Sequence, residues 1–144
     1  LRASLPEEPS ALTAKGAPLM GRMIGSVVLG FVLWSILWIA YTAVLTAVSP
    51  TSFNPDGSAA TGGVLVFFLV WSVLISIASG WVTSKVAAAR ARTAAWALGI
   101  VLLLVGIAVQ AAYWELMPLW YHVCFLALLI PGVLVGHRLQ GGGA

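Results

Sequence analysis

The chain has 144 residues, 61% of them hydrophobic and 8% charged, with seven Lys/Arg against four Asp/Glu and a formal charge of +3. A mean hydropathy of +1.05 excludes an ordinary soluble domain, in which charged residues alone approach about a quarter of the total. Basic residues scattered through apolar sequence form no stripe for nucleic acid, and a single cysteine, Cys124, excludes an internal disulfide and two-thiol redox chemistry.

Residues 1–18, "LRASLPEEPSALTAKGAP", have the Pro, Glu and Ser content of an extended or partner-bound tail and are too polar to lead a signal peptide. With Leu rather than Met in first place, the chain is expected to begin inside a longer precursor. Residues 19–140 read as one transmembrane domain. No charge interrupts the chain between Arg22 and Asp56, and span one, about 23–48, exceeds the roughly 20 residues a helix needs to cross a bilayer. Pro50 and Asn54-Pro55-Asp56-Gly57 then mark a loop, with proline in the second and glycine in the fourth position of a type I turn. Span two, about 64–84, is closed by Lys85, and "AAARAR" (87–92) is a short basic connection. Span three is about 93–114. The three residues Glu115 to Met117 lead to span four, about 118–138, which opens on Pro118, where a missing N–H is harmless. Residues 141–144 form a Gly-rich tail.

The spans are expected to be helices because unpaired backbone groups in lipid cost several kcal/mol each, and none shows the alternation of a barrel strand. Arg2, Lys15 and Arg22 precede span one, Lys85, Arg90 and Arg92 separate spans two and three, and Arg138 follows span four. The other two loops carry only Asp56 and Glu115. The positive-inside rule therefore predicts cytoplasmic termini. The expected fold is all-α: a polytopic protein of the bacterial inner membrane, with four transmembrane helices in an antiparallel bundle.

The chemistry-bearing residues concentrate in "AYWELMPLWYH" (112–122). Glu115 near the start of a helix is favoured by its dipole, and Trp114, Trp120 and Tyr121 suit the aromatic belt at headgroup depth. Gln110, buried in span three, is expected to hydrogen-bond a neighbouring helix, and His122 lies one turn into span four, facing lipid, Gln110 or a partner. These six residues are the candidate contacts for a partner, lipid or small ligand. Helix packing is expected at Gly21 and Gly25, Ser76 and Gly80, Gly99 and Gly106, and Gly132 and Gly136, by small-xxx-small or heptad spacing. Pro131 is expected to kink span four. No metal site is expected, since His122 and His137 lie 15 residues, or about 22 Å, apart on one helix. No resident cofactor is expected either; a single axial His122 to a haem or chlorophyll-like pigment is the one arrangement left open. With no phosphate loop, zinc motif, Ser/His/Asp set or opposed carboxylate pair, the chain reads as a non-enzyme.

The segments "GWVTSKVAAARARTAAWALGIVLLLVGIAVQ" and "LMPLWYHVCFLALLIPGVLVGHRL" resemble a loosely defined set of small uncharacterised bacterial four-span proteins. The shared features are a basic end to span two, a Gly-rich span three, a Pro-aromatic-aromatic start to span four and a Pro/Gly pair near its end. The resemblance covers residues 80–139 and implies topology, not activity. The chain is similar to small multidrug transporters in size, but span one carries Trp34, Ser35, Trp38 and Tyr41 and none of their glutamate. The signatures of small fluoride channels are absent. The function expected is that of a non-catalytic accessory subunit of a larger membrane complex, respiratory or photosynthetic, contacting the lipid bilayer and other membrane subunits. The alternatives are a homo-oligomeric small-solute or ion transporter and a quinone- or pigment-binding membrane protein.

Overall fold

The computed structural model describes residues 9–141, and all its regular elements are helical. Four α-helices follow one another: α1 (Pro9–Val48), α2 (Gly62–Ala87), α3 (Ala91–Ala112) and α4 (Leu119–Gly141). Single 3-10 turns sit at Pro50–Ser52, Ala88–Arg90 and Trp114–Leu116. Three uninterrupted stretches, Gly16–Val48, Gly62–Ala112 and Leu119–Gly141, are long and apolar enough to cross a membrane. They suit lipid contact and a multi-pass membrane protein.

The 51-residue middle stretch is not one straight rod. Ala88 takes φ 49° and ψ −105°, a backbone state that L-residues adopt at a cost of about 1–3 kcal/mol, and there the chain doubles back. A Cβ placed on Gly30 would meet both Thr83 of α2 and Leu98 of α3, residues about 22 Å apart on a straight helix. The alanines of the connection favour helix, so packing of α3 back along the bundle, not local propensity, imposes the reversal.

The tail expected over 1–18 is already helical from Pro9 onward; residues 1–8 and 142–144 lie outside the described residues. In the first loop, Gly57 N–H donates to the Asn54 carbonyl (2.9 Å), closing the turn read from Asn54-Pro55-Asp56-Gly57, and Gly57 takes φ 83°. Ser58 donates its Oγ–H (2.6 Å) and its N–H (2.9 Å) to the Asp56 carboxylate. Those two bonds favour the charged form and hold Asp56 below the usual carboxylate range. The α4 helix runs unbroken through Pro131, which is exposed.

The direction of packing follows from a ladder of contacts between α1 and α2. Arg22 Nε–H donates to the Val86 carbonyl (2.6 Å), Thr83 Oγ1–H to the Ser26 carbonyl (3.2 Å), Trp34 Nε1–H to Ser76 Oγ (3.0 Å) and Trp71 Nε1–H to the Leu37 carbonyl (3.3 Å). Rising numbers on α1 meet falling numbers on α2, so the two are antiparallel. On α4, Gly132 meets Ser76 and Gly136 meets Ile77 and Trp81, parallel to α2, whereas Gly106 meets Leu126 and Gly99 meets Ile130, antiparallel to α3.

This arrangement sorts the charges. Arg22, Lys85, Arg90, Arg92 and Arg138 collect at one end, where His137 Nδ1 is hydrogen-bonded to Ser84 Oγ (3.0 Å) and the Lys85 ammonium lies 4.7 Å from the Trp81 ring. Asp56 and Glu115 belong to the loops at the other end.

Candidate functional site: an aromatic cavity backed by Gln110 and His122

Near the acidic end the bundle does not close on itself. A cavity of about 360 Å³ is bounded by α1, the first loop, α2, α3, the 113–117 link and α4. Its deep wall is aromatic. Trp34 stacks on Trp38 (centroids 5.5 Å, planes 3° apart), and Phe125 meets both rings edge-on at 6.5 and 5.6 Å. Phe68 tilts against Trp38 at 5.7 Å. The volume is at the lower end of the range for small-molecule sites, which begins near 300 Å³, and the mostly apolar wall with a few polar groups is typical of them.

These rings converge because of helical spacing: Trp34 and Trp38 are one turn apart on α1, and Tyr121 and Phe125 one turn apart on α4, so each pair shares a face. Thr42 and Thr46 line the upper part of the cavity. Their hydroxyls donate to carbonyls of their own helix, Thr42 to Trp38 (3.2 Å) and Ile39 (3.0 Å), Thr46 to Thr42 (2.8 Å). That leaves Gln110, Tyr121, Trp38 and the exposed Tyr113 as the lining residues with a further side-chain polar group.

Gln110 is hydrogen-bonded to Nδ1 of His122, a ring only 1% exposed. The other ring nitrogen, Nε2, donates to the Met117 carbonyl (3.1 Å), with the Trp114 carbonyl also facing it at 3.4 Å. Backbone carbonyls only accept, so Nε2 carries a proton. Trp114 caps the ring, stacked at 4.8 Å with planes 13° apart. His122 therefore faces Gln110 and not lipid. The pair ties the start of α4 to the end of α3 across the tight link.

Of the candidate contacts, Gln110, Trp114, Tyr121 and His122 are brought together. Trp120 is exposed and touches Tyr121 edge-on at 6.2 Å. Glu115 is exposed on the Trp114–Leu116 turn. Of the packing glycines, Gly80, Gly99, Gly106, Gly132 and Gly136 abut a neighbouring helix, and Ser76 stands against Gly132, but Gly21 and Gly25 have no atom near their Cβ positions. The α1 contact is instead made by Ser26 and Gly30, one register step along. The cavity aromatics Trp34, Trp38, Phe68 and Phe125 escaped the sequence reading as a site, although their one-turn spacing on α1 is visible in it.

No protein-family model, curated protein or solved structure matches this chain.

Proposed function

We propose that this chain is a four-span protein of the bacterial inner membrane, with both termini cytoplasmic, that binds a small, flat, largely apolar molecule in the aromatic cavity beneath the outer loops and performs no chemistry on it. The span count and orientation are supported by the antiparallel packing of α2 and α3 and by the collection of Arg and Lys at one end. Labelling tests the orientation. In a Cys124→Ala background, Asp56→Cys and Glu115→Cys are expected to react with an impermeant maleimide on intact spheroplasts, and Arg90→Cys only after lysis. Reaction of Arg90→Cys before lysis would overturn the assignment.

The observation that carries the binding function is the cavity itself: about 360 Å³ walled by stacked and edge-on rings, with a buried amide held in place by His122. Aromatic walls favour offset or edge contacts with another ring, and an apolar void of about 150 Å³ already takes benzene. Naphthoquinone titrated into the purified protein is expected to quench tryptophan fluorescence saturably. Val105→Trp, which adds bulk at the lip of the cavity, should abolish saturation. Linear, identical quenching in both proteins would mean simple partitioning into detergent and would refute the binding role.

A second reading, an accessory subunit docked through α1, is favoured by one observation. Only 11% of the apolar window of α1 is buried, against 39% in each of the other two stretches. Native mass measurement after mild extraction separates the two readings, because a subunit co-purifies with other membrane proteins and a stand-alone binder does not.

A further inference from the structure

The cavity's polar wall is built in two layers, and the back layer determines what the front layer offers. His122 Nε2 must donate, because it faces only the Met117 and Trp114 carbonyls. Nδ1 faces Oε1 of the Gln110 amide, and the oxygen and nitrogen ends of that amide exchange by a half-turn about one bond. When the ring is neutral, Nδ1 is a lone pair and Gln110 turns its NH2 toward it, so the amide oxygen is the free end. When the ring is protonated, Nδ1–H donates to the amide oxygen and the NH2 is the free end. Tyr121 also lines the cavity.

We infer that the cavity takes a flat ring bearing a hydroxyl or carbonyl oxygen, of phenol, quinol or quinone type, and that Gln110 selects between donor and acceptor forms according to whether His122 carries one proton or two. The inference rests on the binding function proposed above. With His122 neutral the wall accepts, and a ring hydroxyl is preferred. With His122 protonated the wall donates, and a ring carbonyl or ether oxygen is preferred. His122 is a positioning residue here: it acts through Gln110 and does not line the cavity.

The ionisable groups around the relay are few. Tyr121 on α4 adjoins the ring (6.1 Å between centroids), Tyr41 comes from α1, Tyr113 stands at the end of α3 and Glu115 on the following turn. The first loop contributes Asp56. The nearest ionisable group on α2 is Lys85, at the opposite end of the bundle.

The test uses the full chain in detergent and two matched probes, a 4-alkylphenol and its methyl ether, titrated by tryptophan quenching at pH values from about 5 to about 8. The phenol is expected to bind about three- to tenfold more tightly than the ether at high pH, the ratio appropriate to one net hydrogen bond. The preference should fall toward unity or reverse at low pH. Gln110→Leu should bind both probes with no preference and no pH dependence. A constant preference across pH, or one that persists in Gln110→Leu, would overturn the relay while leaving the binding function intact. Failure of both probes to bind at any pH would overturn both. The wild-type pH profile decides the matter even if Gln110→Leu does not fold.

Discussion

Alanine at Gly80 or Gly136 is expected to destabilise the protein by about 1–3 kcal/mol, the usual cost of forcing extra volume into a packed interface. In lipid, helices gain nothing from hiding apolar surface from each other, so association depends on close van der Waals approach at small residues. A methyl group on Gly80 would overlap the Val133 carbonyl oxygen, and one on Gly136 the Ile77 carbonyl oxygen. Both obstacles are backbone and cannot swing aside, so α2 and α4 must separate along their length. Gly106 provides a graded comparison, because its obstacles are the ends of Leu129 and Leu126, which have other rotamers, and Gly106→Ala should cost less. Gly21→Ala and Gly25→Ala meet open space and should gain up to about 1 kcal/mol from helix propensity. Unfolding midpoints followed by helical circular dichroism in one detergent separate these groups. Equal shifts at Gly80 and Gly21 would show that α2 and α4 are not in backbone contact.

The contrast between Gly21/Gly25 and Ser26/Gly30 also shows how much of the packing was readable beforehand. Both pairs satisfy small-xxx-small, and α1 is apolar on every side, so neither period nor spacing tells which face turns inward. The missing information was the line of Ser26, Gly30 and Trp34, four residues apart, ending on a ring whose N–H reaches Ser76. A ring with a polar tip seeks a partner when buried, so that line was the better guide. Helical structure, loop positions and the separation of charges could be read because they depend on composition and on where charged residues stop. The cavity could not, because it arises from four helices meeting at one level, and no single segment encodes that. Within the acid-and-aromatic stretch, Tyr121 lines the cavity and His122, capped by the half-exposed Trp114, backs Gln110, while Glu115 and Trp120 are exposed, a division set by the tight link at 113–117.

Trp34→Ala is expected to be the most damaging aromatic truncation, at about 2–4 kcal/mol. Trp34 is buried, stacked on Trp38, edge-on to Phe125 and bonded through Nε1–H to Ser76. In a soluble core such a truncation costs about 3–5 kcal/mol, but part of that is transfer from water, and in a membrane the unpacked ring still has an apolar surrounding. What remains is the loss of two aromatic pairs at about 0.5–1.5 kcal/mol each, one hydrogen bond near 0.6 kcal/mol and the dispersion lost around an emptied space. The Ser76 hydroxyl recovers some of this by turning to a carbonyl of its own helix. Trp34→Phe keeps a ring in the stack and gives up the N–H bond, so its cost should be about 1 kcal/mol. The control is Trp96→Ala on the exposed face of α3, where Trp96 is 44% exposed and little packing is lost. A Trp34→Ala midpoint no lower than that of Trp96→Ala would mean that the aromatic wall does not hold α1 to the bundle. Because Trp34 also lines the cavity, the same variant should bind the phenol probe more weakly even below its unfolding transition, tying the stability of α1 to the shape of the site.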